Sequence, residues 1–301
     1  MDPERRTFLQ QLGVAALATS TVSAPEPAIG SMLSDALEQL LQNHYLRMTP
    51  EELEKTLARI EREVKKEYGA NIHCGNVPPL PETSFGMALN LSRCIGARDC
   101  VQACVKENNC GRNDSLENIR VLSLPRGSWE LTDSNHYYAP SHVPEGDRWY
   151  LPVQCQQCDD PPCVQNCPVN ATWKEPDGIV VIDYDWCIGC RACAVSCPYW
   201  ARHFNWQKPA IPSQEMTTET HYLGNRPRPM GVMEKCTFCI QRSRKGQMPA
   251  CLEACRTGAR IFGNLLNPES EIRRVLSTRP IYRFKEDKGT KPRFFYFVDA
   301  S

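Results

Sequence analysis

The segment Cys187-Ile-Gly-Cys190-Arg-Ala-Cys193-Ala-Val-Ser-Cys197-Pro198 decides how this chain folds. Its four cysteines are separated by two, two and three residues, and a proline follows the fourth. Three thiolates on so short a loop can bind one metal centre, and the fourth, at the start of the next segment, can reach a second centre. The spacing therefore predicts a pair of metal centres held by one stretch of chain.

The composition agrees with a fold organised by metal. The chain has 301 residues, of which 41% are apolar, 24 are proline and 17 are cysteine. A chain that is short of apolar residues and rich in cysteine usually folds around disulfides or metal. Because Lys plus Arg and Asp plus Glu both number 35, no excess charge indicates nucleic acid or an anionic lipid surface as a partner.

Cysteines occur in three further groups with related spacing. The first contains Cys94, Cys100 and Cys104, the second is Cys155-x2-Cys158-x4-Cys163-x3-Cys167-Pro168, and the fourth is Cys236-x2-Cys239-x11-Cys251-x3-Cys255; the segment quoted above is the third. A single CxxC pair would suit zinc equally well, and a disulfide-stapled structural protein is the other alternative. Zinc ribbons do not use the x2-x2-x3 spacing, and a disulfide framework has no reason to repeat it. The four groups therefore predict iron–sulfur clusters.

The first group departs from the third at one position. When the two are aligned, Ala97 stands where the third group has its second cysteine. A cubane cluster that lacks one cysteine tends to lose the iron at that corner, so this group predicts a [3Fe-4S] cluster. The alternative is a fourth [4Fe-4S] cluster completed by another ligand, such as Asp99, by Cys110, which is about 9 Å beyond Cys104 if that stretch is helical, or by solvent. Cys74 and Cys110 are expected to be packed or free thiols, with a disulfide between them left open.

The chain from about Leu89 to Asp299 resembles the four-cluster ferredoxin subunits of the complex iron–sulfur molybdoenzymes and of related quinone-linked complexes. These include the DMSO, polysulfide, tetrathionate and formate enzymes and alternative complex III. The cysteine groups match that family residue for residue except at Ala97. The departure argues against four [4Fe-4S] clusters and favours relatives with three cubanes and one [3Fe-4S] cluster, of which alternative complex III is one example.

The resemblance also implies which cysteines share a cluster, because in that family group one pairs with group four and group two pairs with group three. The [3Fe-4S] cluster takes Cys94, Cys100 and Cys255. The three [4Fe-4S] clusters take Cys104, Cys236, Cys239 and Cys251; Cys155, Cys158, Cys163 and Cys197; and Cys167, Cys187, Cys190 and Cys193. The implied fold is α+β, with two ferredoxin-like bicluster modules built from ββα-type repeats.

Three regions are predicted along the chain: a signal region at 1–30, a helical N-terminal extension at 31–85 and a four-cluster body at 86–301. In the body, Asp177-Gly178 between β-prone residues predicts a hairpin. Residues 110–154 and 201–235 are expected to be inserted loops over the surface. Residues 294–298 predict a terminal strand.

The N-terminal extension contains a clear helix signal. Thr49-Pro50-Glu51-Glu52 predicts a helix start with Thr49 as N-cap and Glu52 closing a capping box. An apolar stripe follows at Leu53, Leu57, Ile60, Val64 and Tyr68, and Gly69 ends the helix. The helix is expected to pack on its own body, with docking onto a partner subunit as the alternative.

The N-terminus resembles a twin-arginine export signal. Arg5-Arg6-Thr-Phe8-Leu9 precedes a mildly apolar stretch at 12–22 and a candidate cleavage site at Val22-Ser-Ala24. No run of about 18 apolar residues follows, so no transmembrane helix is expected in the mature chain. The twin-arginine route carries proteins already folded around their cofactors, which would protect cluster thiolates from an oxidising periplasm. The expected location is the periplasmic face of the inner membrane, as a peripheral subunit.

Aromatic and basic residues near the cysteines carry two further expectations. The aromatic residues are expected to pack around the second and third groups and exclude water, with electron relay as the alternative; they are Trp186, Tyr199, Trp200 and Trp206. Arg98, Arg191 and the other basic residues near the clusters are expected to offset the charge of the clusters.

These features predict an electron-transfer subunit rather than a substrate-converting enzyme. No GxSxG, Walker or dinucleotide motif occurs, and no positioned acid, base or nucleophile is evident for substrate chemistry. The resemblance implies two partners: a quinone-reactive integral membrane subunit, and a molybdopterin-type catalytic subunit or a multihaem cytochrome. The [3Fe-4S] centre is expected toward one end of the row of clusters, where it could exchange electrons with a quinol. A stand-alone periplasmic redox protein is the alternative function.

Overall fold

The computed structural model describes residues 48–113 and 116–299. The predicted signal region at 1–30, and the part of the predicted helical extension before residue 48, lie outside the described residues. Residues from Met48 onward belong to one compact unit.

Helices in the described ranges are short apart from the first. They are α1 Pro50–Tyr68, α2 Asp99–Glu107, α3 Pro162–Gln165, α4 Ala192–Val195, α5 Ile240–Ser243, α6 Ala250–Glu253 and α7 Glu271–Thr278. Two cysteines lie on α2, and α3, α4 and α6 carry one each. These helices therefore present thiols rather than build a bundle. Within the same ranges, no helix combines the length and the apolar character needed to cross a membrane.

The strands form small sheets. They are β1 His73–Gly75, β2 Phe85–Asn90, β3 Ile119–Pro125, β4 Arg148–Gln154, β5 Thr172–Lys174, β6 Val180–Ile182, β7 His203–Phe204, β8 Glu219–His221, β9 Met233–Glu234, β10 Arg260–Asn264, β11 Ile281–Tyr282 and β12 Phe294–Phe297. One four-stranded sheet has the order β10-β2-β12-β11, in which β2 is antiparallel to β10 and parallel to β12. The other strands pair as β1 with β8, β3 with β4, β5 with β6 and β7 with β9. The architecture is therefore a mixed α and β fold with small sheets.

The hairpin and the terminal strand are confirmed. β5 and β6 pair antiparallel on either side of Asp177-Gly178, and Gly178 has a φ of 79°, which a residue with a side chain rarely adopts. A Cβ at Gly178 would fall on the guanidinium of Arg293, so glycine is needed here for space as well as conformation. β12 lies inside the four-stranded sheet, with Phe294 and Tyr296 fully buried.

The start and end of α1 follow the sequence signals. Thr49 Oγ1 accepts a hydrogen bond from Glu52 N–H at 3.2 Å, and Glu52 Oε2 accepts one from Thr49 N–H at 2.8 Å. The predicted capping box is therefore present, and Gly69 ends the helix in the left-handed conformation with a φ of 70°.

The apolar face of α1 packs on the body of the same chain. Ile60 and Val64 are buried in the main core. Arg59 Nη2 forms an ion pair with Asp185 Oδ2 at 2.6 Å, which ties the helix to the segment just before Cys187. The expectation that this helix packs on its own body is confirmed.

The two insertions are not surface loops, and that prediction was wrong. β3 and β4 pair in register from Ile119 with Gln154 to Pro125 with Arg148, and the side chains of Leu124 and Leu151 on them are fully buried. Residues 201–235 contain β7, β8 and β9. The strands in 201–235 have only two or three residues, which is too short to show a period in the sequence. β3 and β4 are longer, but they pair across a long connection that no local pattern records.

Candidate metal centres

All 17 cysteines lie in the described part of the chain, and each is a free thiol there. The disulfide considered between Cys74 and Cys110 is therefore not formed. Both side chains are buried, burial raises the pKa of the Cys74 thiol, and the Cys110 Sγ lies 3.7 Å from Asn118 Nδ2. These two residues are packed thiols, as expected.

The four cysteine groups share one backbone conformation. The residue two positions after the first cysteine has a positive φ in every group: Gly96 (76°), Gln157 (47°), Gly189 (70°) and Phe238 (53°). In three of the groups the amide of this residue donates a hydrogen bond to the sulfur of that cysteine, and for Phe238 N to Cys236 Sγ the distance is 3.4 Å. Backbone donors of this kind stabilise thiolate and cluster sulfur.

The first set consists of Cys94, Cys100 and Cys255, which come from distant parts of the sequence. Cys94 interacts electrostatically with Cys100 and Cys255. α2, which carries Cys100, packs against α6, which ends two residues before Cys255. One cavity is lined by these three cysteines, by Ala97 and by Arg260. Burial raises the pKa of the Cys94 thiol to about 11, so a thiolate here needs a cation or a metal beside it.

The second set consists of Cys104, Cys236, Cys239 and Cys251. All four are buried, and Cys104 interacts with the other three. Burial holds the pKa of Cys104 and Cys239 well above its usual value. Asn108 Nδ2 lies 3.5 Å from Cys104 Sγ and 3.7 Å from Cys239 Sγ, so one amide serves two sulfurs.

The second and third cysteine groups each contribute one cysteine to a set formed mainly by the other group. They form a third set, Cys155, Cys158, Cys163 and Cys197, and a fourth set, Cys167, Cys187, Cys190 and Cys193. Cys197 interacts with Cys155 and Cys163, and Cys167 interacts with Cys187 and Cys193. α3 and α4, which carry Cys163 and Cys193, pack together. Of all the cysteines, which lie entirely in the described ranges, Cys190 alone is exposed.

Electrostatic interactions between cysteines of neighbouring sets indicate the order of the sets. Cys251 of the second set interacts with Cys100 of the first. Cys236 of the second interacts with Cys155 of the third. Cys193 of the fourth set interacts with Cys163 of the third. The order is therefore first, second, third, fourth.

The surroundings of the sets suit an anionic iron–sulfur core. Met233 N–H points to Cys187 Sγ at 3.5 Å, and Ala259 N–H points to Cys255 Sγ at 3.3 Å. Arg202 Nη1 and Arg260 Nη2 are buried without a hydrogen-bond partner among the described residues. An orphaned donor costs about 1–3 kcal/mol, and a cluster sulfide beside it would satisfy it. The thiols, amides and guanidiniums present therefore fit the predicted clusters.

The two side chains considered as substitutes at Ala97 are engaged elsewhere. Both carboxylate oxygens of Asp99 accept hydrogen bonds from Arg256, at 2.5 and 2.7 Å. Cys110 interacts with Cys104 and Cys236, so it lies beside the second set. These contacts favour three protein ligands in the first set.

Only two of the four aromatic residues are packed as expected. Tyr199 is buried, and Trp186 packs against the cluster of apolar residues around Cys187. Trp200 is 49% exposed and Trp206 is 69% exposed, so the expectation that they exclude water was wrong. Each is instead covered on one ring face by a cationic side chain.

The basic residues beside the sulfurs do not include Arg98 and Arg191, the two named from the sequence. Arg98 Nη2 donates to both carboxylate oxygens of Glu117, at 2.6 and 2.7 Å, and Arg191 stacks over an aromatic ring at 4.9 Å. Buried cations that interact with cysteines of the four sets include Arg202, Lys235, Arg260 and Arg293. A signal for Arg202 and Arg260 was present in the sequence, because Cys197 and Cys255 are each followed by three residues and then by Ala-Arg.

Comparisons with known proteins agree with this geometry. The family described as a 4Fe-4S dicluster domain matches residues 147–229 and 225–265. A subunit of the selenate reductase of Mesobacillus selenatarsenatis is 31% identical, and the alignment covers 98% of this chain and 97% of that protein. The menaquinone reductase iron–sulfur cluster-binding subunit of Nitratidesulfovibrio vulgaris is 38% identical, over 70% of this chain and 88% of that protein. A subunit of the tetrathionate reductase of Salmonella typhimurium is 30% identical, over 98% of this chain and 88% of that protein. This chain therefore belongs to the family of electron-transfer iron–sulfur subunits of oxidoreductase complexes that carry a 4Fe-4S dicluster domain.

Proposed function

We propose that the chain relays single electrons between two partner subunits through three [4Fe-4S] clusters and one [3Fe-4S] cluster. The observation that carries this proposal is the row of four thiol sets, in which a cysteine of each set interacts electrostatically with a cysteine of the next. Like its relatives, the chain is the electron-transfer subunit of its complex and not the subunit that converts the substrate.

The ligand assignment follows the four sets. Cys94, Cys100 and Cys255 would hold the [3Fe-4S] cluster, and the second, third and fourth sets would each hold a [4Fe-4S] cluster. The first and second sets both take their cysteines from the first and fourth groups, and the third and fourth sets both take theirs from the second and third groups. The body therefore divides into two bicluster modules. The interleaving of distant cysteine groups supports this division.

The polypeptide's own role is to bind the clusters, shield them from water and hold them in position. When bound, each cluster takes up and releases one electron. The chain supplies the thiolates, aims N–H donors at their sulfurs and excludes water from the second set, whose cysteines are all buried. The exclusion of water lowers the local dielectric constant, which strengthens the electrostatic effect of nearby charges on the cluster.

The end of the row at the fourth set carries exposed apolar side chains, which supports an assignment of partners. Beside Cys190, the side chains of Ile188, Val195 and Trp206 are 41%, 89% and 69% exposed. We place the molybdopterin-type catalytic subunit or multihaem cytochrome at this apolar end. The quinone-reactive membrane subunit belongs at the first set, because a [3Fe-4S] centre has the higher potential that suits exchange with a quinol.

The complex would lie on the periplasmic face of the inner membrane. The Arg5-Arg6 signal supports export of the chain in a folded state, with its clusters already bound. Replacement of both arginines by lysine should leave the cluster-loaded protein in the cytoplasm, and fractionation by cell compartment measures this.

A reductive titration tests the relay. The anaerobically purified chain should accept about four electrons per molecule, one for each cluster. A variant with both Cys187→Ser and Cys193→Ser, which removes two ligands of the fourth set, should lose that cluster and about one of these electrons, whereas Cys74→Ser should keep all of them. A wild-type chain that accepts no electrons, or is colourless, would overturn the proposed function.

A further inference from the structure

Two buried arginines occupy equivalent places in the two halves of the body. Cys197 and Cys255 are each followed by three residues, then Ala-Arg, one further residue and Phe. Arg202 and Arg260 are the arginines of these two stretches, and they are only 6% and 4% exposed. A guanidinium does not lose its proton in a protein, so each one places a permanent positive charge in the interior.

Arg202 lies between the third and fourth sets. Its Nη2 is 3.0 Å from Cys163 Sγ and 2.9 Å from Thr172 Oγ1. It interacts electrostatically with Cys163 and Cys155 of the third set and with Cys193 of the fourth. One charge therefore faces both clusters proposed for that module.

Arg260 lies in the same way between the first and second sets. Its Nη1 is 2.7 Å from Gln154 Oε1, 3.5 Å from Met87 Sδ and 3.9 Å from Cys251 Sγ. It interacts with Cys251 of the second set and with Cys94 and Cys100 of the first. Arg260 is thus placed relative to the first and second sets as Arg202 is placed relative to the third and fourth sets.

These two arginines also differ from other buried arginines of the chain in their partners. Arg228 pairs with Glu234 at 2.8 Å, and Arg244 pairs with Asp177 at 2.7 Å. Among the described residues, neither Arg202 nor Arg260 forms an ion pair with a carboxylate. Their charge is therefore balanced by sulfur rather than by a carboxylate.

We propose that Arg202 and Arg260 each raise the reduction potentials of both clusters in their own module. Reduction adds a negative charge to a cluster, and a fixed cation in a low-dielectric interior stabilises the reduced state. A cation between two clusters acts on both at once. This inference rests on the ligand sets of the proposed function.

The test is a potentiometric titration of Arg202→Gln and Arg260→Gln, monitored by EPR under anaerobic conditions. Glutamine keeps an N–H donor and removes the charge. In each variant the two clusters of its own module should become harder to reduce by at least about tenfold, which is about 59 mV for a one-electron couple. The clusters of the other module should keep their potentials, so each variant is the control for the other.

Two further variants separate charge from structure. Arg256→Gln removes a charge next to Cys255 that is 64% exposed, and water should screen that charge so that the potentials move much less than in Arg260→Gln. Arg260→Lys and Arg202→Lys keep the charge and should keep most of the wild-type potential. If a glutamine variant fails to assemble its clusters, the corresponding methionine variant, which also removes the charge, carries the test.

Three results would overturn the inference: unchanged potentials in both glutamine variants, an equal shift of all four clusters in either one, or lysine variants that fall as far as the glutamine variants. Failure of the proposed function is distinguishable, because it would appear in the wild-type chain as missing iron or missing electrons before any variant is made.

Discussion

The loops 94–100 and 187–193 have nearly the same backbone and differ at one position that matters for metal. Both begin Cys-Ile-Gly. Their glycines have φ values of 76° and 70°, and the arginines two residues later have φ values of 59° and 65°. A helix starts directly after each arginine. Between glycine and arginine, one loop has Ala97 and the other has Cys190.

The surroundings of the two loops differ as well. Tyr138 Oη donates a hydrogen bond to the Gly96 carbonyl at 2.7 Å, and the ring of Tyr150, on β4, lies directly over Gly96. The loop that lacks a cysteine is thus covered by the inserted segment, whereas Cys190 and Ile188 of the other loop are exposed. The two loops indicate that backbone conformation sets where a cluster is held, and that a single side chain sets how many irons it can keep.

The largest effect should come from making the complete loop resemble the incomplete one. Cys190→Ala removes one ligand of the fourth set, so its cluster should lose one iron and give a second [3Fe-4S] EPR signal in oxidised protein. Iron analysis should show a loss of about one iron per chain, from four to three in that cluster. Cys74→Ala, which removes a buried thiol outside the four sets, is the matched control and should change neither quantity. Unchanged iron in Cys190→Ala would show that the two loops are not equivalent.

The reverse exchange should have the opposite effect. Ala97→Cys supplies the missing thiol in a loop that already has the required backbone. The [3Fe-4S] signal of oxidised protein should disappear, and the iron content should rise by about one per chain. Persistence of the signal would mean that the covering residues, rather than the absent thiol, prevent a fourth iron from binding.

The glycines of the two loops should differ in their tolerance of alanine. A Cβ at Gly189 would lie 2.1 Å from the Gly231 carbonyl oxygen, whereas a Cβ at Gly96 would lie 2.3 Å from the Tyr150 ring. A ring can shift more easily than backbone, so Gly189→Ala should lower the free energy of unfolding more than Gly96→Ala. Crowding should add about 1–3 kcal/mol to the roughly 1–2 kcal/mol cost of a left-handed alanine.

Gly69→Ala isolates the conformational part of that cost. Gly69 has a φ of 70°, and no atom lies within 4 Å of the position that a Cβ would take, so only the left-handed backbone is penalised. Denaturant unfolding of the three variants gives the comparison. Equal losses in all three would contradict the close contacts described for the cysteine loops.

The smallest effect should come from Asp99→Asn. The change breaks the ion pair with Arg256, and because this pair is on the surface and screened by water, the unfolding midpoint should move little. The iron content and the [3Fe-4S] signal should stay as in the wild type. A [3Fe-4S] signal that is absent from the wild type and appears in Asp99→Asn, with the loss of about one iron, would identify Asp99 as the fourth ligand of the first cluster.

Local signals predicted those parts of the fold that depend on neighbouring residues. The capping box at Thr49 and the stop at Gly69 fixed α1, and Asp177-Gly178 fixed the β5–β6 hairpin, because each depends on a few residues with restricted backbone or hydrogen-bonding choices. The spacing of the cysteines likewise identified the thiols and the kind of metal they suit. Their grouping across the chain came only from a resemblance, since sequence spacing says nothing about which distant loops meet.

Long-range packing explains what could not be predicted. β3 and β4 are separated by a long connection, so their pairing depends on contacts that no local pattern records. Arg202 and Arg260 are ordinary charged residues in the sequence, and charged residues are mostly exposed. Their burial follows from the thiols gathered around them. Only the repeat of Ala-Arg after Cys197 and Cys255 pointed to a shared role.

The most direct test of the cluster assignment is EPR and Mössbauer spectroscopy of the air-oxidised wild-type chain, purified anaerobically, together with an iron count. We predict one oxidised [3Fe-4S] signal, three [4Fe-4S] clusters and about 15 irons per chain, the sum expected for those cluster types. About 16 irons and no [3Fe-4S] signal would contradict the assignment, because a ligand other than cysteine would then complete the cluster at Ala97.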